Sequence, residues 1–287
     1  MDRRINDICI LKNADGAAYI EFEPLKQFEW LRAGFSTRLG GVSYGQGLDT
    51  LNLGFERNDN RDNVIRNFEL LADSAGFDSK NIVLPNQWHT NNLRLVDNLE
   101  TVRGYEYDKD GPAIDGQITA LEDAVLITYG ADCTPVYLID DEHKAIGLCH
   151  SGWKGTPNSI SRDTLELMKK AFGTDASKVT ALIGPSISAD CYEVGYDVAE
   201  HFIKKHGIKV TVDSDIVREG RREGKYQLDL WEANRQNLVM AGVPKERVYV
   251  SGICTFTESS LMYSHRRDGN ARGVMAAFMS IRNGESK

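Results

Sequence analysis

Between Ala124 and His150 the chain passes through three short apolar runs broken by two polar turns, and this block constrains the fold more than any other stretch. The runs are Ala124 to Tyr129, Pro135 to Ile139 and Ala145 to Cys149. The breaks are Gly130-Ala131-Asp132-Cys133-Thr134 and Asp140-Asp141-Glu142-His143. Apolar runs this short, bounded by turn residues, read as strands. Antiparallel pairing of the last two places Cys133, just before one strand, close to His150, just after the next. Gly152 and Gly155 then permit close backbone approach before Pro157 opens a helix.

Cys133 and His150 gain meaning from a third residue, His89 in Gln87-Trp88-His89. Two imidazoles and a thiolate make a ligand set for one Zn²⁺. Three protein ligands leave the fourth position open to water or substrate, the pattern of catalytic rather than structural zinc. His89 and Cys133 are 44 residues apart and Cys133 and His150 are 17 apart, so no zinc-finger knuckle forms and the fold must gather the ligands. By spacing alone, a lone His or Cys in an apolar run is more often a satisfied core residue. The polar or Gly-rich surroundings of His89 and His150 weigh against that reading.

Two other chemistries use the same side chains. His₂Cys is also the equatorial set of a blue-copper centre, although six histidines are too few for a multicopper relay. Cys133 as nucleophile with His150 as base would make a zinc-free cysteine hydrolase. That reading leaves His89 without a use. A non-catalytic binding module is a third possibility, against which the intact ligand triple argues.

The formal charge of −8, with no basic stretch to offset it, argues against a nucleic-acid partner. Five cysteines cannot all pair and form no CxxC site, so Cys9, Cys149, Cys191 and Cys254 read as reduced and buried. No signal peptide is visible after Met1-Asp2-Arg3-Arg4, and no apolar stretch approaches about 18 residues. A cytoplasmic protein with no membrane partner is therefore expected.

Further strand-like runs are Ala18 to Phe22, Ile82 to Leu84, Val179 to Ile183, Val248 to Val250 and Met275 to Met279. Helical periodicity covers Arg61 to Ala75, Pro157 to Phe172, Tyr196 to His206 and Leu228 to Ala241, with Gly173 and Gly242 as stops. No linker, repeat or composition break divides the chain. The expectation is a mixed α/β (α+β) protein, one domain spanning 1–287, with central β-sheets flanked by outer helices.

Two Gly-containing loops carry arginine. Phe35-Ser36-Thr37-Arg38-Leu39-Gly40-Gly41-Val42-Ser43 sets Arg38 beside a glycine pair. Ser264-His265-Arg266-Arg267-Asp268-Gly269, followed by Arg272-Gly273, brings Arg266 and Arg272. A guanidinium fork suits phosphate, and a solvated loop arginine is the plain alternative for each. Neither loop is a P-loop or a dinucleotide fingerprint.

Nine motifs now stand in order: FSTRLGGVS from Phe35, NLG from Asn52, QWH from Gln87, DGQIT from Asp115 and ADCTPV from Ala131. HSGWKGT follows from His150, then IGPSI with YEV from Ile183 and Tyr192, CT from Cys254 and YSHRRDG from Tyr263. Together, over nearly the whole chain, they resemble the laccase-domain (YfiH-type) family, first labelled multicopper polyphenol oxidases and later assigned to purine nucleoside chemistry. The resemblance implies one zinc ion on His89, Cys133 and His150, with copper as the alternative metal. It implies sheets packed between outer helices. It also implies phosphorolysis of adenosine, inosine, guanosine or methylthioadenosine with accompanying adenosine deamination, so the expected partners are purine nucleosides and phosphate.

Cys133 and His150 would then serve the chemistry directly. Asp132 is a candidate to move the proton in deamination, or else a hydrogen-bond acceptor in its turn. Arg38, Arg266 and Arg272 are candidates to hold phosphate. Two positions depart from the family pattern. Lys154 stands where the family usually has Arg, keeping the charge without the fork. The late Thr-Gly-Arg reads Arg272-Gly273-Val274 here, with the cation moved to the other side of the glycine.

Overall fold

Apolar side chains fill both sides of the central strands, and two sheets lying face to face explain why. The computed structural model describes residues 2–13, 16–45, 47–102, 104–105 and 111–283. The first strands are β1 (Arg3–Arg4), β2 (Cys9–Asn13), β3 (Ala17–Phe22), β4 (Leu31–Gly40), β5 (Ile82–Val83) and β6 (Leu93–Leu95). The middle of the chain supplies β7 (Gly116–Thr119), β8 (Val125–Gly130), β9 (Thr134–Asp140), β10 (Ala145–Ser151) and β11 (Thr180–Ile183). The last are β12 (Glu193–Val194), β13 (Val217–Glu219), β14 (Tyr226–Leu228), β15 (Val248–Val250) and β16 (Met275–Ile281). The helices are α1 (Arg61–Ala75), α2 (Ile160–Phe172), α3 (Tyr196–His206), α4 (Leu230–Met240) and the single turn α5 (His265–Asp268).

A seven-stranded sheet runs β1-β2-β3-β4-β16-β8-β5 and a six-stranded sheet runs β15-β11-β9-β10-β7-β6. The two-residue period of a strand then sorts the side chains into layers. Tyr137 and Ile139 of β9, Ile146 and Leu148 of β10, and Leu126, Met275 and Ala277 of the first sheet form the shared core. The alternate residues Val136, Leu138, Ala145 and Cys149 pack instead with Ile160, Leu165, Met168 and Leu238 of α2 and α4. On the far face of the first sheet, Ile127, Ala276 and Phe278 meet Val64, Phe68 and Leu71 of α1. The result is helix, sheet, sheet, helix, the mixed α/β arrangement expected. A small third sheet, β12-β14-β13, packs with α3 around Phe202 and Leu228.

Local signals explain the helix limits. Asn60 caps α1 by accepting the Asp62 N–H at 2.9 Å, and Gly76 ends it in the left-handed conformation at φ 77°. Helix α2 begins at Ile160 rather than Pro157, after Ser159 adopts φ 61°. Two segments differ from the sequence reading. Phe35 to Gly40, expected as a loop, is the second half of β4. Its polar residues are hidden because Thr37 donates to the Ala18 carbonyl at 2.8 Å and the Ser36 hydroxyl accepts from Ala276 N at 2.9 Å. The segment Ala131–Cys133 is a crossing, carrying the chain from β8 in the first sheet to β9 in the second. Among the described residues no helix is long and apolar enough to cross a membrane.

Candidate metal centre

The alternation that turns Ile146 and Leu148 inward in β10 also turns His150 inward, at the end of the sandwich. Its neighbour across the ladder is Pro135, and Ser151 faces Thr134, so Cys133 falls beside it. His89 arrives on a second crossing, between β5 and β6, with its backbone at φ 61°. The three donor atoms lie within 4.8 Å of one another, and His89 Nε2 is 3.8 Å from Cys133 Sγ.

One carboxylate organises this convergence. Asp115, fully buried ahead of β7, accepts His89 N and His150 Nδ1 on Oδ1, both at 2.9 Å. Its Oδ2 accepts Trp88 N at 3.2 Å, Thr90 N at 2.7 Å and the Thr90 hydroxyl at 2.8 Å. The side chain thus fixes the turn that carries His89. It also holds the His150 proton on Nδ1, which leaves Nε2 for the cluster. Sequence reasoning quoted Asp115 only as a motif letter. No local signal marks it, because its partners lie 25 and 35 residues away.

Charge follows geometry. Burial pushes the Cys133 thiol up, but the two imidazoles outweigh it, His150 most, and bring it down to about 6. Burial alone would depress His150, yet Cys133 and Asp115 raise it to about 9. Burial also raises Asp115, and the bonds from His150 and Thr90 overcome that to hold it at about 2. The donor chemistry, one thiolate and two imidazoles with a carboxylate behind one ring, fits a single zinc or copper ion. Gly152 completes the cradle. A Cβ there would stand 3.0 Å from Cys133 Sγ, 3.4 Å from His89 Cδ2 and 3.5 Å from His150 Cε1.

Asp132 is buried at φ 97°. Its carboxylate accepts the Thr255 hydroxyl at 2.6 Å, the Ser264 hydroxyl at 3.0 Å and Arg266 N at 2.6 Å. Three donors on one carboxylate fasten the crossing to α5, which is the geometry of an acceptor in its turn.

The arginines divide. Arg38 lies on β4, donates to the carbonyls of Asp49 and Ser259 at 3.1 Å each, and covers the Tyr263 ring at 4.8 Å. Expected in a loop, Arg38 instead sits on a strand, with its Nε and one Nη engaged by backbone carbonyls. Arg266 donates to the Glu193 carbonyl at 2.7 Å over the Tyr192 ring. Arg272 is buried, with a single bond to the Gly273 carbonyl. Lys154 is exposed above the Trp153 ring. Two clefts of about 550 and 590 Å³ meet at the cluster. Phe55, Trp88 and Tyr129 line one, Trp153, Tyr192 and Leu230 the other, and Cys133, His89, Arg57 and Arg272 border both. Arg57 was not singled out from the sequence. A third cavity, of about 600 Å³ beside Trp30 and Phe278, lies on the outer face of the first sheet and holds none of the three donors.

A family profile described as "Multi-copper polyphenol oxidoreductase laccase" matches residues 32–282, and the chain belongs to that family. Purine nucleoside phosphorylase YlmD of Bacillus subtilis (strain 168) is 35% identical over 251 residues, covering 87% of this chain and 88% of that protein. Adenosine deaminase RL5 of an unknown prokaryotic organism is 34% identical over 87% of this chain and 95% of its own length. The crystal structure of YlmD from Geobacillus stearothermophilus superposes with a TM-score of 0.84 at 32% identity, covering 97% of this chain and 100% of that one.

Proposed function

We propose that this chain is a zinc-dependent purine nucleoside phosphorylase that also deaminates adenosine, with 1–287 forming one catalytic domain. The observation that carries the reading is the convergence of His89, Cys133 and His150 within 4.8 Å at the meeting of two clefts. The names of the relatives support the two reactions. A zinc ion held by these residues would supply an electrophile for water or for a substrate oxygen.

The chain's own residues bind and orient. Aromatic faces at Phe55, Trp88 and Tyr129, or at Trp153 and Tyr192, offer flat apolar walls for a purine. Arg266 and Arg272 add positive charge for phosphate. In phosphorolysis a phosphate oxygen bonds to ribose C1′ as the C1′–N9 bond breaks. The electron pair leaves with N9, which takes up a proton, giving free base and ribose 1-phosphate. Adenosine, inosine, guanosine and methylthioadenosine all carry that bond. In deamination water adds its oxygen at C6 and the amine departs as ammonia. Asp132, with its carboxylate committed to three donors, is assigned no proton transfer. The five free cysteines support a reducing, cytoplasmic setting.

Elemental analysis of the purified protein, paired with adenosine incubated with and without phosphate, tests the proposal. About one zinc per chain, with free base forming only when phosphate is present, is the expected result. Stoichiometric copper with phenol oxidation and no nucleoside turnover would overturn it. A second reading draws on Asp115, which stands behind His150 as an orienting acid stands behind the base of a cysteine hydrolase, with Cys133 as nucleophile. Full activity after rigorous metal removal, abolished by thiol alkylation, would favour that hydrolase. Loss on chelation and recovery with zinc would sink it.

A further inference from the structure

The arginines of the FSTRLGG and SHRRDG motifs are mostly committed. Arg38 and Arg266 each donate to backbone carbonyls and lie over aromatic rings. Arg267 donates to three carbonyls and to Asp268. Two guanidinium groups at the shared border are different. Arg272 is 8% exposed, and its Nε is buried with no hydrogen-bond partner. Arg57, half-buried on the segment leading into α1, has no hydrogen bond or ion pair among the described residues.

The two belong to one wall. Arg57, Arg272 and Val274 line the same cleft. A Cβ built on Gly54 would meet Val274 Cγ2 at 2.9 Å and Arg57 Cγ at 3.0 Å, so these two side chains pack against the same glycine. Val274 holds the place where the resembled motif sets its arginine, after Gly273. Here Arg57 reaches that wall from a different segment, and Arg272 comes from before the glycine. A buried unsatisfied donor such as Arg272 Nε is expensive to leave unmet. Of the nearby acids, Glu56 lines the same cleft and acts on Arg57 through its charge, while Asp132 is held by three other donors and Cys133 belongs to the cluster.

We infer that Arg57 and Arg272 form a paired oxyanion site at the border of the two clefts, and that inorganic phosphate is its ligand. A phosphate dianion offers several acceptor oxygens to two planar forks at once. Burial, and then the nearness of Arg57, lowers the basicity of Arg272 to about 10, in keeping with two cations facing one space. The inference deepens the phosphorylase reading and rests on it for its role in turnover, but anion binding is measurable without turnover.

The test is calorimetric titration of the zinc-loaded protein with inorganic phosphate, and separately with adenosine 5′-monophosphate, for wild type, Arg57→Gln, Arg57→Lys and Arg66→Gln. Arg66 pairs with Glu69 on the outside of α1 and serves as the control. Arg57→Gln should weaken phosphate at least ~10-fold, with Arg57→Lys in between and Arg66→Gln unchanged. The KM for phosphate should rise by the same factor. Arg57 is partly exposed, so the variant is expected to keep its unfolding midpoint, which the same samples report. Unchanged or undetectable phosphate binding overturns the assignment, as does Arg57 dependence confined to the nucleotide. Arg57-dependent binding without any phosphorolysis would keep the site and reject the phosphorylase. Phosphorolysis with a KM blind to Arg57 would do the reverse.

Discussion

Replacing Asp115 by Asn is the sharpest probe of the centre, because it keeps the side chain's shape and changes only which atoms accept. Five donors reach the carboxylate: His89 N and His150 Nδ1 on one oxygen, Trp88 N, Thr90 N and the Thr90 hydroxyl on the other. An amide has one acceptor oxygen. If its NH₂ takes the second set, two backbone N–H groups are orphaned, and each buried orphan costs about 1–3 kcal/mol. If it takes the first set, His89 N is orphaned and His150 must accept at Nδ1. The imidazole proton then moves to Nε2, the nitrogen meant for the cluster.

Either outcome loosens the turn that carries His89 or blocks His150. Loss of such a partner typically weakens metal binding 10–100-fold, which is about 1.4–2.7 kcal/mol. The metal-free protein should also lose about 2–4 kcal/mol of stability, from one or two orphans and the lost charge-assisted bonds. Zinc titration against a competing chelator gives the first quantity and urea unfolding of stripped protein the second. An Asp115→Asn protein with wild-type zinc affinity and an unshifted urea midpoint would refute the organising role given to this carboxylate.

Three further outcomes follow from the same coordinates. Asp115 is held at about 2 when folded against 3.8 as a free side chain, so its contribution of about 2 kcal/mol is present above pH 4 and lost as pH falls through 2. Acid unfolding of metal-free wild type should show that loss, and Asp115→Asn should not. Gly152→Ala puts a Cβ 3.0 Å from Cys133 Sγ at a backbone position outside the left-handed region. Zinc affinity should drop at least ~10-fold while metal-free stability changes by about 1 kcal/mol or less, a split that a direct comparison of binding and unfolding would expose. Tyr137→Phe removes the hydroxyl that donates to the Gly34 carbonyl at 2.9 Å across the two sheets. A loss of about 1 kcal/mol in urea unfolding with zinc affinity intact is expected, and any large change in zinc binding would contradict the separation of core and centre.

The helices were readable because capping chemistry and periodicity agree. Arg61–Ala75 and Tyr196–His206 carry the bounds expected from the sequence, each closed by a left-handed glycine. The pairing of β9 with β10, which sets Cys133 beside His150, was readable from two apolar runs and one short turn. Strand β4 was not, because Ser36 and Thr37 are polar residues satisfied only by partners in other strands. Strands β12 to β14 are two or three residues long, too short for any period to show. At the centre, the three donors could be named from residue type and context. Asp115 and Arg57 could not, and Gly152 was legible only as a point of close backbone approach, since the partners of each are defined by what the fold brings near them.

The two crossings carry a consequence for how the molecule comes apart. His89 rides on the passage from β5 to β6 and Cys133 on the passage from β8 to β9, each leading from the first sheet to the second, where His150 resides. Neither sheet holds the donor set without the other's connections. An ion seated there acts as a clasp, and prying the sheets apart breaks its hold in the same motion. Its binding free energy therefore adds to the docking of the two sheets. Amide exchange around both passages should slow together when zinc is added, and the outer helices should feel it only through global unfolding.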